Sequence, residues 1–381
     1  MAVDIFRGIP GTVPVTYFVL PLLLALYACV YRLSCAPGKQ HKEAAYDGNA
    51  QIKTLETFNW TEVEPTPYRP FKTKQHVAMG ISKMEKSEWI RIDRGYLRRL
   101  EERDRIMEGS RPEVIGSGPT VNLAIEELYE EIMIQFLPKR FPTMFSCREG
   151  TFLNKVTGRT YSVDLTAIDH DTMLRNLGEN VEEDFYFMCP DDQDELRLQG
   201  WIACFPGGFS TTARKGMSMR EIHQPVPGFQ ERIAKGSDLT LARLQPGDFI
   251  ERFNVSPSLG TVPPLRELTL LQWSLQSDGG DLFRLDGNNF YPELGQEIPE
   301  RKKDVDIDQC FLRVEHQTLV RLTKSRAVIF CVRSYMTSLR DIKKEGNGPL
   351  LAEAFESMPH KLGDYKMRPF WDTPVYKFLR S

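Results

Sequence analysis

Two kinds of apolar spacing divide this chain. From Val13 to Tyr31 it reads 19 residues without a charge, and a helix rising 1.5 Å per residue over that length reaches across the ~30 Å of a hydrocarbon core. The run predicts one transmembrane helix over 13–31, after a tail of 1–12. A cleaved signal peptide is the alternative. Its basic start is thin, with Arg7 offset by Asp4, and the run exceeds the ~7 to 15 residues of a signal core. Arg32, Lys39 and Lys42 follow the run while only Arg7 precedes it, so the positive-inside rule places the rest of the chain in the cytosol. Two sequons, at Asn59 and Asn254, test that orientation, since a lumenal domain could be glycosylated there. Residues 32–75 are rich in Pro, Gly, Lys and Thr without sustained period, and read as a tether.

The body, 76–381, alternates between helical and strand periods. Tyr96, Leu97, Leu100 and Met107 share one face of a charged helix, and Val121, Ile125, Leu128, Ile132 and Phe136 step by three or four between Pro119 and Pro138. A hairpin is predicted over 151–164, turning at 155–158, then a short helix around 173–177 and extended runs at 184–189 and 195–205. Beyond Gly247 strands dominate, at 248–255, 268–276, 310–322 and 327–335. A helix opens at Ser338 and another after Pro349. This order predicts an α+β fold, an antiparallel sheet with flanking helices.

Composition narrows the function. The 381 residues are 41 % hydrophobic and 27 % charged with a net charge of −3, the balance of a folding chain with no field to recruit nucleic acid. Seven cysteines, an odd number, show no C-x-x-C spacing, which argues against a disulfide framework, a zinc ribbon or an iron–sulfur site. Gly116-Ser117-Gly118 is followed by Pro119 rather than a dinucleotide fingerprint, and no P-loop, H-E-x-x-H or G-x-S-x-G is present.

Candidate chemistry gathers in a few places. In Glu221-Ile222-His223-Gln224-Pro225-Val226-Pro227 two prolines stiffen the backbone after His223. That suits a metal or haem axial ligand held at one angle, or a partly buried histidine bonded near a turn. Upstream, Arg214, Lys215 and Arg220 could face haem propionates or solvent. On a strand, Arg313, Glu315, Gln317 and Leu319 share one face and Val314, His316, Thr318 and Val320 the other. The polar row is either an exposed sheet surface or the wall of a pocket. Arg252-Phe253-Asn254 and Cys189-Pro190, a possible thiolate ligand, complete the set.

Together these segments resemble the haem-dependent oxidative N-demethylase alpha-subunit-like family, as a fungal-type member with an N-terminal anchor. The resemblance runs from about Tyr68 to Leu379. It is carried by Tyr68-Arg69-Pro70-Phe71, residues 79–84 and 89–93 with Tyr96-Leu97, residues 181–185, Cys204-Phe205-Pro206 and Lys215-Gly216. It continues with Ile222-His223 and Pro225-Val226-Pro227, then Phe311-Leu312-Arg313 with Glu315 and Gln317-Thr318-Leu319, and Arg333-Ser334-Tyr335. The resemblance implies a PAS-like sheet enclosing a b-type haem that oxidises a small amine at the iron. NADPH would supply the electrons through separate flavin and iron–sulfur components. It further implies His223 as the axial ligand, Lys215 and Arg252 as cofactor contacts, and Arg313, Glu315 and Gln317 lining the pocket or polarising bound oxygen. Three departures stand out. His316 replaces an arginine, Gly207-Gly208-Phe209 replaces a segment with Ser and Trp, and a further family motif aligns either with Phe253-Asn254 or, better, with Gln272-Trp273-Ser274-Leu275-Gln276, the second alignment making Glu251 to Leu271 an insertion. The expectation is a membrane-anchored haem monooxygenase for a small or lipophilic amine, served by an external reductase. The reading from another class is a non-catalytic haem or small-ligand sensor, since one fold hosts both.

Overall fold

The computed structural model describes residues 52–69, 79–109, 112–207, 209–252 and 305–381, with the short strands at 254–255, 266–267 and 273–276. The predicted anchor, 13–31, lies outside these residues. Among those described, no helix is long and apolar enough to cross a membrane. Residues 52–69, expected within the tether, lie instead on the body. Ile52 is buried, and Leu55, Phe58 and Trp60 pack against the core, while the Leu55 N–H donates to the Arg140 carbonyl at 2.9 Å. The apolar side chains that these four residues pack against the core outweigh the loop-like composition around them.

In chain order the elements open with β1 (Ile81–Lys83), α1 (Tyr96–Gly109) and β2 (Ile115–Ser117). Next come α2 (Asn122–Tyr129), a π-helical stretch (Glu130–Phe136) and α3 (Leu137–Arg140). Both predicted helical faces form. Tyr96, Leu100 and Met107 are buried along α1, and Val121, Ile125, Leu128, Ile132 and Phe136 are all fully buried. A small sheet of β3 (Phe145–Arg148), β4 (Thr151–Asn154) and β5 (Thr160–Ser162) holds the predicted hairpin, and α4 (His170–Gly178) follows with Asp169 as its cap.

The main sheet uses β6 (Asp184–Pro190), β7 (Leu196–Ile202), β8 (Phe249–Arg252), β11 (Trp273–Gln276), β12 (Phe311–Arg321) and β13 (Val328–Ser338). Its order is β1-β8-β12-β13-β6-β7-β2, and every described pairing is antiparallel. Between β7 and β8 lie three short helices, α5 (Met219–Ile222), α6 (Phe229–Arg232) and α7 (Ala234–Arg243). A two-stranded piece, β9 (Asn254–Val255) with β10 (Arg266–Glu267), precedes β11. The chain ends in α8 (Leu339–Lys344), α9 (Gly348–Glu356), α10 (His360–Tyr365) and α11 (Arg368–Arg380).

Strand β12 is the spine. β13 covers one edge along all of it, from Phe311↔Ser338 to Arg321↔Val328. The other edge is shared by β11 on 311–314 and β8 on 317–320. One face of the sheet packs Phe185, Phe187, Ile329 and Val320 against α1 to α4. The other gathers Leu319, Val332, Ile250, Met188 and Leu198 with Ile222 and Leu241 from the short helices. Toward the 311 end, Leu312, Val314 and Tyr335 join the four C-terminal helices in a separate cluster. Since both faces of β12 are covered, the row Arg313, Glu315, Gln317 cannot be an exposed surface.

Candidate functional site

The site begins with one turn of helix. Ser218 and Glu221 form a reciprocal capping box that starts α5, and His223 is its C-cap. Pro225 and Pro227 then keep the chain from continuing the helix. The ring of His223 is held twice. Its Nδ1 lies 2.9 Å from the Met219 carbonyl, and the ring stacks on Phe229 with centroids 4.7 Å apart at 18°. A nitrogen bonded to a carbonyl must carry the proton, so Nδ1 is the donor and Nε2 keeps its lone pair. Burial draws the imidazole down to about 4, against the Met219 carbonyl and aided by the charges of Arg252 and Arg214. The ring is therefore neutral near pH 7.

His223 borders a cavity whose empty space, open solvent at its mouth included, amounts to about 1130 Å³. Its walls are mostly apolar. Tyr186, Met188, Phe330 and Val332 rise from the sheet, with Phe209 and Phe229 opposite. Glu315 and Gln317 stand on the sheet side, so the odd-numbered face of β12 does form the polar wall of a pocket.

These polar groups are joined in one chain of hydrogen bonds. Arg252 Nη1 donates to Gln317 Oε1 at 2.7 Å, and Gln317 Nε2 donates to Glu315 Oε2 at 3.0 Å. Arg313 donates to Glu315 Oε1 from Nε at 3.2 Å and from Nη2 at 3.1 Å. Arg313 itself stands behind the wall, 2 % exposed, with Nη2 also on Ser334 Oγ at 2.7 Å and on the Phe205 carbonyl. Gly207 leaves room for it. A Cβ there would lie 3.0 Å from the guanidinium, and the backbone φ of +60° suits glycine.

A second cation enters from the far end of the chain. Lys366, the C-cap of α10, lines the cavity and is 4 % exposed. Burial lowers its ammonium to about 8, with Glu315 opposing, and by the same cause lowers Arg252 to about 10. Neither Lys366 nor its neighbour Tyr365 was signalled by the sequence, because both reach the site only through tertiary packing.

Other candidates go elsewhere. Lys215 is exposed and does not border the cavity. Arg214 is buried under the ring of Phe209, its guanidinium carbon 4.6 Å from the centroid. Arg220 pairs with Asp238 at the surface. Cys189 sits in the opposite core with Phe185 and Phe187, and burial pushes its thiol up to about 12, so it offers no thiolate to the cavity. His316 also faces away, 3.2 Å from Glu251. The departure expected at that position therefore lies off the pocket wall.

A haem is flat and apolar over its faces, carries two carboxylates at one edge, and takes an unprotonated ring nitrogen on iron. A bare Nε2, apolar walls and two cations match those needs. Residues 80–376, most of the chain, match the family model described as haem-dependent oxidative N-demethylase, alpha subunit-like, and the chain belongs to that family.

Proposed function

We propose that the cavity holds a b-type haem with His223 Nε2 as axial ligand, and that the protein is a monooxygenase for a small or lipophilic amine. The observation that carries this is the Nδ1–H bond from His223 to the Met219 carbonyl, which leaves the other nitrogen bare at an apolar cavity. When bound, the haem supplies oxygen activation. The chain's own residues bind and orient. Glu315, fixed on both carboxylate oxygens, is placed to accept an N–H or a proton from an amine, while Gln317 and Arg313 keep it from swinging away. The aromatic walls exclude water.

Electrons would come from NADPH through a separate flavin and iron–sulfur reductase, in keeping with the missing dinucleotide fingerprint. The antiparallel sheet against the cavity supports the PAS-like comparison. The run 13–31 would anchor the protein as a single-pass membrane protein with its domain in the cytosol, favouring membrane-partitioned substrates. Alkaline extraction and an endoglycosidase shift test that placement; release of the protein or a mobility shift would overturn it.

The decisive experiment is the absorption spectrum of the full-length chain, reconstituted with haem, beside its His223→Ala variant. We expect a Soret band in the first and its loss or displacement in the second. No band in either removes the haem reading, and an identical band in both removes His223. Reductase- and NADPH-dependent consumption of amines then separates an enzyme from a haem sensor, which would bind without turnover.

A further inference from the structure

The connection between β7 and α5 carries Phe209, and it is held in place more firmly than a surface connection usually is. The Phe209 N–H donates to the Pro206 carbonyl at 3.1 Å. Against the Phe209 ring lies the guanidinium of Arg214, itself 3 % exposed and donating from Nη1 to the Ser210 carbonyl at 3.2 Å. Three successive residues then fasten the connection to Glu113, just ahead of β2. Thr211 Oγ1 donates to the Glu113 carbonyl at 2.7 Å and the Thr212 N–H to its carboxylate at 3.4 Å, where the hydroxyls of Ser210 and Thr212 also donate.

This anchoring delivers a ring-to-ring contact inside the cavity. Phe209 lines it, and the ring meets that of Tyr186 edge to face, with centroids 5.5 Å apart at 81°. A methylene placed between the two would need about 4 Å of clearance to each ring, which that spacing does not offer. The cavity therefore ends where these rings meet. Tyr186 belongs to the sheet, paired with Phe330 of the adjacent strand, whereas Phe209 stands on a connection. Of the two, Phe209 is the ring whose size can change without disturbing a strand pairing.

We propose that Phe209 is a specificity-determining residue, a stop across the cavity that limits the length of the apolar substituent an amine can carry there. This rests on the reading of the cavity as an amine site given above, and it adds a ceiling on chain length to that reading.

The test is calorimetric titration of the full-length chain, reconstituted with haem, with n-alkylamines from ethylamine to n-octylamine and with n-alcohols of the same lengths. In the unmodified protein affinity should climb about fourfold per methylene, the scale of one buried CH₂, up to a limiting length and then stop. Phe209→Ala should carry the climb about two methylenes further, so that the longest amines bind about tenfold tighter, and should leave ethylamine binding unchanged. Phe209→Trp should end the climb sooner. A climb that ends at the same length in all three proteins, or has no end in the unmodified one, would overturn the proposal, as would a Phe209→Ala protein that binds short and long chains equally weakly. Where Phe209→Ala lowers the Tm, Phe209→Leu keeps an apolar side chain and replaces it, with a smaller shift in the same direction. A limit that moves with residue 209 in the alcohols, without amine binding, would remove the amine reading and keep the stop. Binding of neither series would overturn the stop as well. Should the chain take up no haem, that removes the haem reading, and the same titrations on the chain as purified decide the stop.

Discussion

The two faces of the central sheet both bury charge, in opposite ways. On the face toward α1, Arg333 meets Asp93 at 2.7 Å and Glu182 at 2.8 Å, with Glu183 at 3.8 Å. Arg103 meets Asp184 at 2.7 Å nearby. Cations and carboxylates there close on one another. Across the sheet, Arg252, Glu315, Gln317 and Lys366 line the cavity. The first set closes its charges on one another and holds strands and helix together, and the second joins its polar groups along the wall of a cavity. Burial of a charged group therefore does not by itself mark a site; what matters is whether a void adjoins it.

That contrast can be broken at several points. The largest effect should come from Arg333→Leu, which strands three buried carboxylates and should cost about 3 to 5 kcal/mol in urea unfolding; a loss under about 1 kcal/mol would mean the network is not structural. Next comes the pH dependence of the same face. Burial raises Glu182 from 4.5 to about 7, against the pull of Arg333, so the folded chain binds the proton more tightly than the unfolded one. Stability should fall as pH rises from about 5 to about 7, by roughly 3 kcal/mol at most, and Glu182→Gln should flatten the slope in melts across that window.

On the cavity face the signs of failure differ. Glu315→Gln should lower amine turnover tenfold or more, about 1.4 kcal/mol of barrier, with a change in stability under about 1 kcal/mol. A matching fall in Tm without a fall in kcat would assign Glu315 to the fold.

Much of the frame was legible because it rests on local period. Strict alternation marked β12 and assigned Glu315 and Gln317 to one face and His316 to the other. Three-and-four spacing marked the buried faces of α1 and α2. The two prolines singled out His223, although its tautomer depends on a carbonyl four residues back that only the folded turn supplies. The helices α5 to α7 were missed because four to ten residues give too little period to read. Lys215 was misplaced because a cation near a histidine in sequence can point away from it in space. Cys189 could have been set aside sooner, since it alternates in phase with Phe185 and Phe187. Lys366 carried no local signal at all.

The divided edge of β12 bears on how such a protein can change. β8 and β11 each hold their own register on that edge, Arg252 against Gln317 and Trp273 against Val314. Between them in sequence, β9 and β10 pair with each other in a sheet of their own. Sequence can be gained or lost between these two docking points without sliding Glu315 or Gln317 along the strand. Descendants of this chain are thus free to explore new length at the rim while inheriting the polar row intact, so change of ligand preference and retention of chemistry need not compete for the same residues.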